Sequence, residues 1–568
     1  MIFHAPEPPV VIPEVALTPF LLEHALERGD KPAFVDGPSG RTLTYRGWSE
    51  GVRKTAAGLA ARGFRKGDVF AIYSPNLPEY AIAFHAVSLL GGINTTVSPL
   101  YTVTELTAQL KDCGARCLVT VPPCAEKALQ AARDSGVREV FTFGYAEHAG
   151  YAEHAGDAEH AGDAEHATPF GSLLAAEGAP PDVDIDPRED LVVVPYSSGT
   201  TGLPKGVMLT HYNLVANLLQ TAAVLDIGED DVMLGVLPFF HIYGMTVIMN
   251  FALHAGATVV TMPRFDLEQC LQILEKYRVT FANVVPPIVL AFAKSPLVDK
   301  YDLSSLRTVF SGAAPLKKDL ADAARARLGC QVVQGYGLTE TSPVTHGARY
   351  GDNVASIGPP VPNTESKVVD VVSQVELGPN EEGEICVRGP QVMKGYLNRP
   401  DATAAMIDAD GWLHTGDIGF ADERGCFFVV DRLKELIKYK GMQIAPAELE
   451  AVLLGHPSIA DAAVIPVACD EAGEVPKAFV VLKSELACAD ILEYVAARVA
   501  PYKKLRSVEV IDQIPKSPSG KILRRVLVER QRSADVTGRS LGLLARRARA
   551  TGALVQSLAE DRERIAVG

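Results

Sequence analysis

The stretch Tyr196-Ser-Ser-Gly-Thr-Thr-Gly-Leu-Pro-Lys-Gly-Val-Met-Leu-Thr-His211 decides the fold class of this chain. It begins at the end of a near-continuous apolar run, Leu191 to Tyr196, which predicts a buried strand that breaks into a polar loop. Two glycines allow backbone N–H groups to point inward, hydroxyl groups add further donors, and Lys205 adds a positive charge. A loop of this composition predicts a polyphosphate site.

The spacing within this loop differs from that of nucleotide hydrolases. Their phosphate loop has four residues between its glycines, followed directly by Lys and then Ser or Thr. Here Gly199 and Gly202 enclose only two residues, Pro204 precedes Lys205, and Gly206 follows it. A nucleotide-hydrolase loop is therefore a poor match.

The ten residues from Ser197 to Gly206 resemble the signature loop of the adenylate-forming superfamily. That superfamily includes acyl-CoA synthetases, luciferases and peptide-synthetase adenylation domains. Seven further segments resemble it in the expected order, so the likeness spans roughly residues 20 to 530. These segments are Pro238–Met245, Ser311–Leu316, Gln334–Thr341, Gly411–Asp417, Asp431–Lys434, Lys438–Glu450 and Pro515–Arg524.

Within the superfamily, the chain is most similar to 4-coumarate:CoA ligases and their medium-chain fatty acid relatives. The similarity rests on His241-Ile-Tyr243, on Pro343-Val344 and on Gln443-Ile-Ala-Pro-Ala-Glu448. Phe310 and Thr341-Ser342 stand where plant hydroxycinnamate ligases usually carry other residues. The acid is therefore left open between an aryl-propenoic acid and a fatty acid.

The composition is that of an ordinary globular protein, with 47% hydrophobic and 22% charged residues among 568. This length predicts two or three domains. A formal net charge of −15 argues against non-specific nucleic-acid binding. No run approaches the roughly 18 apolar residues of a membrane span and no signal-peptide pattern opens the sequence, so a cytoplasmic protein is predicted. The nine scattered cysteines predict free thiols in a reducing compartment.

From Trp48 onward, helical and strand-like segments alternate, which predicts an α/β fold with parallel sheets. Beyond Ser342, short β-like runs predict a small β-barrel-like subdomain. The predicted organisation is an AMP- and acyl-binding domain over 1–430 with two α/β subdomains and the barrel, an α+β lid domain over 431–532 and an arginine-rich tail over 533–568. The resemblance implies that the lid is mobile. Residues 1 to about 15 are predicted to be a poorly packed lead.

A low-complexity insert over 145–168 repeats the unit Ala-Glu-His-Ala-Gly with a period of six residues. Its histidines are His148, His154, His160 and His166. On a helix, a six-residue step places neighbours about 120° apart, so these histidines share no face. A duplicated surface loop is the favoured interpretation, and a weak adventitious metal site is the alternative.

The resemblance implies a nucleotide site. Its residues are expected to be Ser197, Ser198, Gly199, Thr200, Thr201, Gly202, Lys205, Gly312, Ala313, Ala314, Pro315, Gln334, Gly335, Tyr336, Gly337, Thr339, Asp417, Arg432 and Lys521. Thr200 and Glu340 are the implied metal ligands, and Mg²⁺ prefers one or two carboxylates together with phosphate oxygens. Asp417 is the implied ribose anchor, because a carboxylate can accept hydrogen bonds from both ribose hydroxyls.

The resemblance also implies sites for the acid and for CoA. The acyl pocket is expected to be lined by His241, Tyr243, Ser311, Gly312, Gly335, Gly337, Pro343 and Val344. Lys440 and Gly441 are the implied CoA contacts. His241, Lys438, Gln443 and Lys521 are the implied catalytic residues, and Asp431 is the implied hinge.

These residues predict an ATP-dependent carboxylic acid:CoA ligase that uses Mg²⁺ and CoA. The acid attacks the α-phosphorus of ATP, and Lys521 and the loop donors stabilise the developing charge, each donor being worth typically about 3–4 kcal/mol. Rotation about Asp431 then brings in Lys438 and Gln443 for attack by the CoA thiolate. The open alternatives are a medium- or long-chain fatty acyl-CoA synthetase and an enzyme that loads a carrier protein in trans.

Overall fold

The computed structural model describes residues 1–144, 167–197, 204–433, 435–439, 442–469, 472–499, 501–516 and 522–533. The chain divides into two compact units, Met1–Val429 and Val430–Gly568. The predicted insert, up to residue 166, and the predicted tail, from residue 534, lie outside the described residues.

The first sheet of the larger unit is mostly parallel and contains the strand that leads into the polar loop. Its strands, in spatial order, are Tyr196–Ser197, Lys205–Thr210, Leu191–Val193, Ile93–Val97, Val69–Tyr73, Ala115–Thr120, Glu139–Thr142 and Thr168–Pro169, and Gly395–Tyr396 pairs with Lys205–Thr210. Its connecting helices are Tyr45–Ala61, Pro78–Leu89, Val103–Cys113, Ala125–Ser135 and Gly171–Leu174. Parallel neighbours joined by helices are the arrangement that the alternating sequence pattern predicts.

The second sheet has the same character, with one antiparallel strand at each edge. Its strands, in spatial order, are Val344–Gly347, Gln331–Gly337, Thr308–Ser311, Phe281–Val284, Val232–Gly235, Thr258–Thr261, Pro32–Asp36 and Thr42–Thr44. The α-helices around it are Leu17–Leu22, Ala25–Arg28, His211–Ala222, Phe251–Ala255, Leu267–Lys276, Pro286–Lys294 and Lys318–Leu328. Tyr243–Asn250 is a π-helix, a rare conformation that is frequent at functional sites.

One hydrophobic core joins these two sheets, and its largest fully buried side chains include Trp48, Tyr45 and Phe34. The helix His211–Ala222 begins directly after the polar loop's second strand because Thr210 caps it. The Thr210 side chain accepts from the Asn213 N–H, and the Asn213 side chain accepts from the Thr210 N–H. The loop is therefore held between a paired strand and a capped helix.

The third sheet is antiparallel and completes the larger unit. Its strands, in spatial order, are Ile2–His4, Glu365–Val369, Gly383–Arg388, Leu413–Ala421 and Phe427–Arg432. The short helix Pro400–Ala404 belongs to this region. The predicted fold class, α/β subdomains followed by a small β-subdomain and a further α+β domain, is confirmed.

The prediction of a poorly packed lead is wrong. Residues Ile2–His4 pair with Glu365–Val369 as an edge strand, and the Phe3 ring packs edge-on against Phe427 at 5.3 Å between centroids. Glu7 forms an ion pair with Arg349. The prolines of this segment, the first of which is Pro6, follow the strand, so they do not interrupt its pairing.

The smaller unit contains a fourth sheet. Its strands, in spatial order, are Met442–Ile444, Ile437–Tyr439, Gly473–Leu482 and Ile459–Cys469, and Ser507–Val510 runs parallel to Gly473–Leu482. Helices Pro446–Leu454 and Cys488–Ala496 and a C-terminal helix over 524–533 accompany it. Leu449, Leu453, Ile491 and Val464 belong to its core.

All nine cysteines lie within the described residues and carry free thiols. Among the helices that the structure describes, none has both the length and the apolarity needed to span a bilayer.

Candidate functional site

The polar loop connects two antiparallel strands. Ser197 and Lys205 are Cα partners in this pair, so the loop between them leaves and re-enters the sheet at one place. Gly206 is needed in the second strand, since a Cβ there would lie 2.8 Å from Val194 Cγ1. The five predicted phosphate-binding residues from Ser198 to Gly202 lie outside the described residues.

Lys205 and Glu340 are linked by a tyrosine that the sequence prediction missed. The Lys205 ammonium lies 4.8 Å from the centroid of the Tyr396 ring, and the Tyr396 hydroxyl donates to Glu340 Oε1 at 2.8 Å. Burial, followed by the charge of Glu340, raises the pKa of Tyr396 well above its ordinary value, so the phenol stays a donor. A cation over the ring and a carboxylate at its hydroxyl place both charges at one site.

Asp417 is held in a similar way. The Tyr336 hydroxyl donates to Asp417 Oδ2 at 2.6 Å, and Asp417 is 4% exposed. Gly416, with φ of 69°, makes the tight turn before it. The Asp417 N–H donates to Thr415 Oγ1 at 3.1 Å. The predicted ribose carboxylate is thus oriented from both its side chain and its backbone.

A cluster of three side chains of the types that can ligate a metal supports the turn at Gly416. Glu384, Cys386 and His414 place one ligand atom each within 4.8 Å of one another. Glu384 Oε2 lies 3.0 Å from His414 Nδ1, while Glu384 Oε1 accepts from the Gly416 N–H at 2.9 Å. Hydrogen bonds to Cys386 and Glu384 raise the pKa of His414 to about 10. Because these groups satisfy one another, we assign them to holding the Gly416 turn.

The predicted adenine turn, Ser311–Leu316, is held by Gln334. Gln334 Oε1 accepts from the Leu316 N–H at 3.0 Å, and its Nε2 donates to Val354 O at 2.7 Å. Ala313 has φ of 67°, a left-handed conformation that costs energy for a residue with a Cβ. Non-glycine residues in this conformation persist where surrounding contacts enforce them, often at ligand sites.

In the predicted acyl pocket, two aromatic rings pack directly against glycine residues. A Cβ on Gly312 would lie 2.7 Å from Tyr243 Cε1, and a Cβ on Gly335 would lie 2.4 Å from Phe310 Cζ. The two rings lie 6.4 Å apart in a T-shaped arrangement, and the Tyr243 hydroxyl donates to Phe310 O at 3.1 Å. Both rings are therefore fixed walls.

The remaining predicted pocket residues lie in two places. His241 Nδ1 accepts from the Tyr243 N–H at 3.3 Å at the start of the π-helix. A Cβ on Gly337 would lie 1.9 Å from Pro343 O, so these two backbone segments touch. Asn217 holds Val344 through both its backbone groups, at 3.0 Å from Asn217 Oδ1 to N and 2.8 Å from Nδ2 to O.

Comparison with known proteins identifies the family to which this chain belongs. The pattern of the family described as "AMP-binding enzyme" matches residues 21–397, about two-thirds of the chain, and that of the "AMP-binding enzyme C-terminal domain" matches residues 448–521. The chain belongs to the AMP-binding enzyme family. This confirms the resemblance to the adenylate-forming superfamily.

Several curated relatives of this AMP-binding enzyme are 4-coumarate:CoA ligases, which confirms the branch indicated by the sequence. It is 45% identical to 4-coumarate--CoA ligase 5 of Oryza sativa subsp. japonica over 541 residues, 93% of this chain and 96% of that protein. It is 44% identical to 4-coumarate--CoA ligase 1 of Petroselinum crispum, covering 94% and 98% of the two chains.

Solved structures with ligands have the same fold. ATP-bound MatB from Rhodopseudomonas palustris superposes with a TM-score of 0.79 at 28% identity, covering 91% of this chain and 99% of that one. The o-succinylbenzoate CoA synthetase MenE from Bacillus subtilis, in complex with the acyl-adenylate OSB-AMP, superposes with a TM-score of 0.75 at 29% identity, covering 91% and 98%.

In the smaller unit of this family member, two predicted catalytic residues lie side by side. Lys438 and Gln443 are Cα partners in the antiparallel pair Ile437–Tyr439 and Met442–Ile444. Lys440 and Gly441, which connect these strands, lie outside the described residues, as does Lys521.

Asp431, the predicted hinge, is 6% exposed. Its Oδ2 accepts from the Ala447 N–H at 2.9 Å and its Oδ1 from the Arg432 N–H at 2.7 Å. Burial raises its pKa, although these two backbone hydrogen bonds lower it. The carboxylate therefore ties the start of the unit to the helix Pro446–Leu454.

Arg524, the last residue of the terminal motif Pro515–Arg524, binds to residues elsewhere in the smaller unit. Its guanidinium donates to both carboxylate oxygens of Glu450, at 2.7 and 2.9 Å, and to Glu435. It also donates to Val464 O at 3.2 Å. Removing one partner of a buried ion pair of this kind typically destabilises a protein by about 3–5 kcal/mol.

Asn283 is a further residue that sequence reasoning missed. It is the one polar side chain in the apolar run Phe281-Ala-Asn-Val-Val285, and it is fully buried beside Phe310 in the second sheet. A lone amide inside a buried strand is uncommon, and that was the available signal. Tyr396 and Glu384 gave none, because their roles depend on partners far away in the sequence.

Proposed function

We propose that the protein is an ATP-dependent carboxylic acid:CoA ligase of the 4-coumarate type, which forms an acyl-adenylate and then an acyl-CoA thioester. The predicted enzyme class, an AMP-forming acid–thiol ligase, is confirmed by the family and by the 4-coumarate:CoA ligases at 43–45% identity. The geometric observation that carries the proposal is the Lys205–Tyr396–Glu340 link, which gathers a cation and a carboxylate from distant segments at one site.

The first half-reaction uses the larger unit. Asp417, oriented by Tyr336, accepts hydrogen bonds from the ribose hydroxyls, and the turn Ser311–Leu316 receives the adenine. An acid whose hydrocarbon part lies against Tyr243 and Phe310 then presents its carboxylate to the α-phosphorus. Lys205 and loop donors bind the β- and γ-phosphates, so that pyrophosphate can leave.

Glu340 fits a magnesium ligand. It is 6% exposed, and the Tyr396 hydroxyl fixes Oε1, which sets the direction of the carboxylate. Magnesium is held typically by one or two carboxylates together with phosphate oxygens and water. When bound, Mg²⁺ neutralises charge on the phosphate oxygens. Thr200 is the proposed second protein ligand.

The second half-reaction uses the smaller unit as a lid that turns about Asp431. In the first state Lys521 stabilises charge on the reacting phosphate. In the second state Lys438 and Gln443, which are Cα partners in their strand pair, replace it at the site, and Lys440 and Gly441 contact the CoA arm. The CoA thiolate attacks the acyl carbon of the mixed anhydride and AMP leaves.

The free thiols of all nine cysteines support a reducing, cytoplasmic location.

Separate half-reaction assays test this assignment. Lys521→Ala is expected to abolish acid-dependent pyrophosphate release and to leave CoA transfer from supplied acyl-adenylate largely intact. Lys438→Ala is expected to do the reverse. Lys483→Ala, an exposed lysine in the same unit, is the control and should change neither rate. Equal loss of both half-reactions in Lys521→Ala would overturn the two-state mechanism.

The acid is tested by pyrophosphate release with ATP and Mg²⁺ across cinnamic, benzoic and fatty acids, each with and without CoA. Release with 4-coumarate and a CoA-dependent thioester product would establish the ligase. Release with fatty acids alone would assign the other acid class. Release that CoA does not accelerate would instead indicate a carrier protein as acceptor.

A further inference from the structure

Three side chains that can ligate a metal meet at the base of the turn that carries Asp417. Cys386 and His414 are Cα partners in neighbouring antiparallel strands, and Glu384 lies two residues before Cys386. The pairing register shifts between Glu384 and Cys386, so the partner strand bulges there, and the bulge contains Asp417. The three side chains therefore lie where the two strands separate to form the turn.

The ligand atoms of these side chains converge on one ring nitrogen. His414 Nδ1 lies 3.0 Å from Glu384 Oε2 and 3.5 Å from Cys386 Sγ. A ring nitrogen carries at most one hydrogen, so a single proton at Nδ1 has to serve both neighbours. A metal ion with several open coordination positions can instead accept a lone pair from all three atoms at once.

The separations between these atoms match those of a tetrahedral zinc site. Zinc binds sulfur at about 2.3 Å and nitrogen or oxygen at about 2.0–2.2 Å. Tetrahedral angles then require about 3.6 Å between sulfur and nitrogen and about 3.4 Å between nitrogen and oxygen. The observed separations are 3.5 Å and 3.0 Å, and all three ligand atoms lie within 4.8 Å of one another. Small side-chain movements would therefore complete the site.

The second ring nitrogen of His414 has the kind of partner that metal-binding histidines usually have. Its Nε2 lies 3.6 Å from Asp408 Oδ2, and Asp408 Oδ1 accepts from the Trp412 N–H at 2.9 Å. A ligating histidine almost always directs its other N–H to a carboxylate, a carbonyl or water, which orients the ring. Glu384 is oriented as well, because its Oε1 accepts from the Gly416 N–H at 2.9 Å. Two of the three ligands are thus oriented before a metal binds.

Burial and neighbouring charge also suit a cation at this place. Glu384 and Cys386 are buried, whereas the His414 side chain is 24% exposed, so an ion can enter past the imidazole ring. Lys367, the Cα partner of Cys386 on its other side, directs its ammonium to Glu376 at 3.2 Å. The carboxylate of that ion pair offsets the repulsion between the lysine and a bound cation.

We propose that Glu384 Oε2, Cys386 Sγ and His414 Nδ1 are the protein ligands of a zinc site whose fourth ligand is water. Thiolate and imidazole ligands favour Zn²⁺ over Mg²⁺, which prefers oxygen, so this site is separate from the magnesium ligand proposed at Glu340. As zinc binds, the thiol proton and any proton on Nδ1 leave to solvent. Without the ion, hydrogen bonds among the same groups hold the turn. With it, the two strands are fastened at the turn that carries Asp417.

Cobalt substitution in the full-length protein provides the first test. Tetrahedral Co²⁺ bound to a thiolate has a charge-transfer band in the near ultraviolet, and Co²⁺ takes the place of Zn²⁺ at such sites. Metal-free protein titrated with Co²⁺ should develop this band until about one ion is bound per chain, and Zn²⁺ should abolish it. The repeat over 145–168 contains histidines but no cysteine, so cobalt bound there gives no such band. Absence of the band in wild type would overturn the proposal.

Substitution provides the second test. Cys386→Ser should remove the cobalt band and lower the zinc content from about one ion per chain to background, as measured by elemental analysis after desalting. The controls are Cys270→Ser, at another fully buried free thiol, and Cys488→Ser, at an exposed one, and both should keep the band and the zinc. A band that survives Cys386→Ser, or that either control removes, would overturn the proposal.

Thermal melting tests whether the ion fastens the strands. Saturating Zn²⁺ should raise the melting temperature of wild type and leave that of Cys386→Ser nearly unchanged. Melting without metal shows whether the variant folds, and Cys386→Ala replaces it should the serine prevent folding. Zinc that binds wild type without raising its melting temperature would overturn the fastening role.

Deletion of residues 151–162 separates this site from the repeat. The deletion removes His154 and His160 and leaves the three proposed ligands in place, so the zinc content should not change. A loss of zinc on deletion would assign the metal to the repeat and overturn the proposal.

Discussion

The phenolic hydroxyl of Tyr336 donates a hydrogen bond to Asp417 across 81 residues of sequence, at 2.6 Å. The two side chains come from the second and third sheets of the larger unit. A neutral donor on a carboxylate both stabilises its ionised form and fixes its direction. The proposed ribose anchor is therefore oriented before the nucleotide arrives.

Tyr336→Phe should weaken nucleotide binding. Hydrogen bonds to charged groups contribute about 1.5–3 kcal/mol, so we expect the KM for ATP to rise by roughly 10- to 100-fold. The KM for the acid should change much less. Initial rates at varied ATP measure this, with Tyr301→Phe, whose hydroxyl faces Glu268 near the surface, as the control. An unchanged KM for ATP would contradict the role of Asp417.

Tyr396→Phe should alter the metal dependence. Without the hydroxyl, Glu340 Oε1 loses its 2.8 Å hydrogen bond and the carboxylate loses its fixed direction. Partners that orient a metal ligand are typically worth 10- to 100-fold in metal affinity. We expect the Mg²⁺ concentration for half-maximal pyrophosphate release to rise by roughly tenfold. Tyr277→Phe, which removes a hydroxyl that donates to Gly37 O, is the control. A Mg²⁺ titration identical to wild type would separate Glu340 from the metal.

Gly335→Ala should narrow the acyl pocket. The new Cβ would lie 2.4 Å from Phe310 Cζ and force that ring to move. Overpacking typically costs about 1–3 kcal/mol, and we expect kcat/KM for the acid to fall by roughly 5- to 100-fold. The double variant Gly335→Ala/Phe310→Leu should recover most of the loss.

The control for that substitution is Gly347→Ala on the partner strand. Gly347 is the Cα partner of Gly335, but a Cβ there would meet its nearest neighbour, Val224 Cγ2, at an ordinary 3.6 Å. If the double variant were no better than Gly335→Ala, the Phe310 ring would not be the obstacle.

Stability should fall as the solution is acidified below pH 6.5, because of buried neutral histidines. Burial lowers the pKa of His211 to about 4, and those of His85 and His346 to about 3. In the unfolded chain the pKa is about 6.5, so below that pH the unfolded state binds protons that the folded state does not. Each such histidine contributes stability above pH 6.5, and by pH 5 it has lost about 2 kcal/mol of it.

The variant His211→Gln measures how much His211 contributes to this loss of stability at low pH. His211 Nδ1 accepts from the Leu17 N–H at 3.1 Å, an acceptor role that glutamine can take over. Between pH 7.5 and 5 the variant should lose about 2 kcal/mol less free energy of unfolding than wild type. Urea titrations followed by the fluorescence of Trp48 and Trp412 report on the larger unit, and His4→Gln, at an exposed histidine, is the control. Parallel losses in variant and wild type would contradict a neutral buried His211.

The repeat should be dispensable for catalysis. The strands on its two sides, Glu139–Thr142 and Thr168–Pro169, are parallel neighbours at the edge of the first sheet. Deleting residues 151–162 removes two six-residue units and leaves both strands in place. We expect unchanged kcat, KM and melting temperature, and unchanged bound zinc by elemental analysis. A lower kcat or a loss of stoichiometric metal would contradict the interpretation as a surface loop.

Elements with strong local signals were predictable from the sequence. The helix Pro446–Leu454 begins with a proline at its first position, and the strand Ser507–Val510 carries valine at alternate positions, and both are local signals. The N-terminal lead was mispredicted because Phe3 packs against Phe427, a residue that is far away in the sequence and that local patterns do not identify. The π-helix Tyr243–Asn250 was missed because all eight of its residues are buried, and a largely apolar run of this kind does not distinguish a π-helix from an α-helix.

The same division applies to the site. Residues inside compact motifs, such as Glu340 and Asp417, could be proposed as site residues from the sequence because each motif has a distinctive order. The residues that orient them, Tyr396 and Glu384, come from other strands and have no motif of their own. Hydrogen bonds between distant side chains are decided by tertiary packing, which local patterns do not encode.

Arg524 also limits how far the terminal motif can reach. Its guanidinium is fastened to Glu450 and Glu435 inside the smaller unit. Lys521 precedes Arg524 by three residues in the sequence, and three residues span at most about 11 Å. In the proposed mechanism, Lys521 would reach and leave the phosphate only as the smaller unit turns, so a single rotation rate would govern when each half-reaction can begin.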